Sequence, residues 1–87
     1  MKLVYAVLFS ESLDWDAGTL IAIAGSKEEA FGIARYYACL LLFTEVEREV
    51  IDTSGFSLVI SMRSGDSVLV KEYKTQTLKS FIKDGRQ

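Results

Sequence analysis

The side chains of this chain that could do chemistry are carboxylates, amines, phenols, hydroxyls and one thiol, because histidine is absent. Without an imidazole there is no Cys–His pair, no Ser–His–Asp triad and no zinc-type ligand set, and the commonest general base is missing. Asp14-Trp15-Asp16 offers two carboxylates, the ligand type that hard cations take. Gly18, however, does not stand where a calcium loop needs its glycine, and no further acid falls in register. Gly25-Ser26-Lys27 lacks the upstream glycine and spacing of a phosphate loop. Ser57 follows Gly55 without the flanks of a nucleophile elbow. Cys39, between Ala38 and Leu40, reads as a buried small hydrophobe, since reactive thiols need an electropositive, accessible setting. An enzyme here would have to be built on Asp or Glu, Tyr and Lys. The expectation is therefore no catalytic residue, no metal and no cofactor.

Two features point instead to contact with another molecule. The first is the loop carrying Glu11, Leu13, Asp14, Trp15 and Asp16. A tryptophan ringed by acids has the make-up of an interface hot spot, and an acidic rim speeds encounter with a basic partner. The competing expectation is that Trp15 folds back over an open sheet edge. The second feature is Leu40-Leu41-Leu42-Phe43, apolar through more than one helical turn. One sheet covers one face of a helix, so part of this run needs another cover. Gly32 costs about 1 kcal/mol in a helix relative to alanine, which close approach of a strand or second helix would explain. Gly32, Leu40, Leu41 and Phe43 are accordingly the expected contact between two copies of the chain about a two-fold axis. A C-terminal helix is the alternative cover.

The elements that must position these residues follow from the pattern. Leu3 to Phe9 is apolar on both alternating faces, as in a central strand buried on both sides. Residues 10–18 form a polar loop, and Thr19 to Ala24 a second strand, antiparallel to the first. Ser26-Lys27-Glu28-Glu29 is a capping box that opens a helix over about 27–43. Residues 45–51 alternate like a strand, although Leu42, Val46 and Val50 would also suit a continuing helix. That helix would set Glu45 against Glu49, four residues apart, and the strand is favoured. Residues 56–63 and 67–74 form a hairpin about Ser64-Gly65-Asp66. Leu78, Phe81 and Ile82 share one face of a short terminal helix over 77–84, ended at Gly85. The expected fold is one α+β domain over 1–87, in the order ββαβββα, with the long helix packed on an antiparallel or mixed sheet.

Composition bounds the rest. The 87 residues leave room for one core, and 49% hydrophobic content argues against disorder. A single cysteine cannot close an internal disulfide. The apolar start resembles a signal peptide only briefly before Glu11, Asp14 and Asp16 follow, and no stretch approaches the ~20 apolar residues of a membrane helix. A cytoplasmic home without membrane contact is expected. The net charge of −2 is unevenly spread: residues 1–52 hold nine acids and four bases, residues 53–87 three acids and six bases. The sequence thus favours a non-enzymatic protein-binding module with a basic partner: a small inhibitor, adaptor or regulatory subunit, such as a phage or mobile-element accessory protein. The alternative is a nucleic-acid-associated protein using Lys71, Lys74, Lys79, Lys83 and Arg86, weakened by the negative total.

Overall fold

A computed structural model describes residues 2–11, 18–53 and 55–74. The strands are β1 (Leu3–Ser10), β2 (Thr19–Ala24), β3 (Val46–Thr53), β4 (Phe56–Met62) and β5 (Ser67–Lys74). The helix α1 (Lys27–Tyr36) runs on into a π-helical turn, Tyr37–Leu41. The strands form one sheet in the order β2-β1-β5-β4-β3, with every neighbouring pair antiparallel. A helix on an antiparallel sheet is an α+β architecture. The full ββαβββα order is not matched: its terminal helix falls at 77–84, outside the described residues.

The start of α1 follows from Ser26. Its backbone is extended (φ −136°, ψ 155°), and its Oγ accepts a hydrogen bond from the Glu29 N–H at 3.2 Å. That satisfies one of the N–H groups a helix start leaves open, while Glu28 and Glu29 sit where the dipole favours acids and Arg35 where it favours bases. Ala30, Ala34 and Ala38 are buried on the sheet-facing side. Their small side chains let the helix axis lie close to the strands. Beneath them the register Val7↔Val70↔Leu58 and Val68↔Ile60 brings apolar side chains from three strands onto one face. Leu58, Ile60, Val68 and Val70 are almost wholly buried there. Val59 and Leu69, opposite each other in register, head a smaller cluster on the other face with Phe56 and Leu8.

Two expectations need correction. The helix does not reach residue 43. Its last turn widens, so that the Leu42 N–H donates to the Tyr37 carbonyl five residues back at 3.1 Å, and Phe43 turns into the left-handed region at φ 51°. Nor is Cys39 buried; it is exposed. Successive helical residues are about 100° apart, so burying Ala38 carries its neighbour round toward the outer side, where Gly32 seven residues earlier also lies exposed. Residues 46–53 are strand rather than helix, the choice the repulsive Glu45–Glu49 spacing favoured. Asp52, at φ 54°, bends that strand near its end, a conformation Asp tolerates better than most side chains.

Candidate protein-binding surface

Three connections meet at one end of the sheet. Ser10 at the end of β1 pairs with Ser67 at the start of β5, and Ser67 in turn with Ser61 near the end of β4. Val46, opening β3, pairs with Met62. The flanks of the β1–β2 connection, Ser10–Glu11 and Gly18–Thr19, the β4–β5 turn and the passage from helix to β3 therefore all stand at this end. The β4–β5 turn is tight. Gly65, at φ 95°, takes a conformation that side chains resist, its N–H donates to the Met62 carbonyl at 3.0 Å, and the Met62 N–H donates to the Asp66 carbonyl at 2.9 Å. The helix end is tied to the same place twice. The Arg63 N–H donates to the Glu45 carbonyl at 2.9 Å, and the side chains of the two residues pair at 3.2 Å. The Tyr37 ring rests against Phe9, with centroids 5.9 Å apart and planes tilted by 57°.

The apolar run lies on this end. Leu40 and Leu41 are half exposed and Phe43 is 90% exposed, so neither sheet nor turn covers them. Phe43 combines two costs. Its ring stands in water, and its backbone takes the left-handed position after a helix that glycine or asparagine normally fills. Around it the charge is acidic: Glu11, Glu45 and Asp66 against Arg63, which is engaged with Glu45. Leu13, Asp14, Trp15 and Asp16 lie outside the described residues, but Glu11 and Gly18 on either side of them belong to this end. The apolar run at the helix end thus shares one end of the sheet with Glu11 and Gly18, the described residues that flank the Trp15 loop. What sequence reading missed is this convergence, together with the exposed β3 beyond it. The one local signal was a helix ending without a glycine at its C-terminus.

Gly32 is exposed, and a methyl group built there would meet nothing within 4 Å. Close packing against the described residues therefore does not explain this glycine. On the flank toward β3, the Arg35 Nε donates to Glu49 Oε1 at 3.1 Å, and its guanidinium lies over the Phe31 ring, 5.5 Å from the centroid. The hydrogen bond to Glu49 holds Arg35 above its ordinary basicity, against the smaller opposing effect of desolvation. Loss of water around the Tyr5 hydroxyl, then its bond to Glu72 at 3.2 Å, raises that phenol above its usual value. Lys71 sits over the rings of Phe56 and Tyr73, 5.5 Å from each. Among the described residues no group of three or more acids or thiols is placed to hold a metal, and no helix is long and apolar enough to cross a membrane. Ser67 Oγ is buried without a hydrogen-bond partner among the described residues. Comparison with family models, with curated proteins and with solved structures finds no match to this chain.

Proposed function

We propose that this chain is a non-enzymatic protein-binding module, an inhibitor, adaptor or regulatory subunit, that takes a basic partner on the acidic, apolar end of its sheet. The observation that supports it most is Phe43: an almost fully exposed ring held on a left-handed backbone. A residue that costs stability in both ways and packs on little among the described residues fits an anchor for something else. Leu40 and Leu41 extend the apolar surface, and Glu11, Glu45 and Asp66 supply a rim that attracts basic residues. Trp15, with Leu13, Asp14 and Asp16, is a second anchor in this reading. The lone cysteine supports a reducing, cytoplasmic setting. Nucleic acid fits less well, because Lys71 is engaged by two aromatic rings and this end of the sheet is acidic.

The test is affinity capture with wild type and a Phe43→Asp, Leu41→Asp double variant. Basic proteins should be retained by wild type, released by raised salt, and lost from a variant with unchanged circular dichroism. Identical captures by the two would place the binding surface elsewhere.

A further inference from the structure

The two edges of the sheet are built differently. β3 carries Glu47, Arg48, Glu49 and Asp52, its pairing slips between Val46 and Arg48, and Asp52 turns left-handed. Charges and irregularities of this kind are how edge strands avoid pairing with other chains. β2, Thr19-Leu20-Ile21-Ala22-Ile23-Ala24, carries no charge and no proline, and one slip opposite Val7 and Leu8 is its only irregularity. Leu20 is 49% and Ile23 42% exposed, so nothing among the described residues covers them fully.

We propose that β2 is the self-association edge of this protein, pairing antiparallel with the β2 of a second copy to join two five-stranded sheets. This goes beyond the binding surface above and uses other residues. Charge selects both the occupant and the place. Two copies meeting through Phe43 would bring Glu11, Glu45 and Asp66 against their own counterparts, and β3 meeting β3 would set two strands of net charge −2 side by side, three acids and Arg48 on each. In β2 no register opposes like charges, because there are none. A two-fold axis perpendicular to the sheet keeps each face continuous, so the two copies of α1 lie on the same side. Arg35 reaches β3, which turns the opposite helix flank, with the half-buried Ile33, toward the β2 edge. Apolar side chains thus meet across the axis in both layers, as a stable isologous interface requires.

Sedimentation should find a species near twice 9.7 kDa that dissociates on dilution. Amides of β2 not bonded to β1 should exchange slowly with deuterium in the dimer and quickly after dilution. Ile23→Lys, and separately Leu20→Lys, should give a monomer with wild-type circular dichroism, whereas Phe43→Asp should leave the dimer intact. The exchange measurement on wild type needs no variant to fold. A wild type that stays monomeric throughout the accessible range overturns the proposal. So does a monomer whose β2 amides are already protected, which would give the edge to another part of the same chain. A dimer that survives both lysine variants and is lost in Phe43→Asp would overturn it in favour of the helix end.

Discussion

In the proposed binding surface, Phe43 would serve contact at the expense of the fold that carries it. A non-glycine residue held in the left-handed region costs about 1–3 kcal/mol. Its ring, 90% exposed, returns little of that by burial. Asparagine adopts the same backbone more easily and has no ring to expose. Phe43→Asn should therefore leave stability unchanged or raise it by about 1 kcal/mol, read from the urea midpoint, while partner capture falls. A loss of more than about 1 kcal/mol would mean that the ring packs in solution and would return Phe43 to the core. From sequence the exposure was half legible: four consecutive apolar residues exceed what one sheet can cover, but which of them faces out depends on the π-helical turn, and no residue type announces that turn. Cys39 was misread for the same reason. Apolar neighbours in sequence are not neighbours in space on a helix, and Ala38 took the buried position.

At the scale of the element, legibility follows how local the cause is. Ser26 and Glu29 are three residues apart and fix the helix start between them, so the start was readable from composition alone. Ser26→Ala should cost about 0.5–2 kcal/mol, because the Glu29 N–H loses its acceptor. A denaturation midpoint equal to wild type would show that solvent replaces the cap at no cost. The helix end has no such device. Strand β2 at 19–24 and β5 at 67–74 were equally legible, since alternation and turn residues bound both. Strand order was not. Alternation says which residues share a face, never which strand lies beside which. The convergence of the Glu11 loop, the Arg63–Asp66 turn and the helix end was therefore hidden until β1 was found between β2 and β5.

For the whole molecule, the pairing of β1 with β5 is the controlling connection. It joins opposite ends of the described chain, Leu3 to Lys74, and runs unbroken through to Ser10 and Ser67. Val7 and Val70, opposite each other in this pair, are both at the centre of the core beneath α1. The sheet therefore cannot close until β5 exists, whereas β1–β2 and β3–β4 can form as local hairpins. Non-local pairing of this kind puts the loop-closure entropy before the contacts that repay it, and small domains dominated by it fold in milliseconds to seconds rather than microseconds. The same topology predicts how the fold fails. A chain ending at Asp66 keeps both hairpins and the capped helix but loses Val68, Leu69 and Val70, all fully buried. It should show no cooperative thermal transition and no dispersed amide spectrum. In the full chain, amides shared by β1 and β5 should be the last to exchange, at free energies close to that of global unfolding, with β3 exchanging earlier. A shortened chain that still melts cooperatively, or β3 amides that outlast those of β1, would show that stability rests on the hairpins and would remove β5 from the centre of the fold.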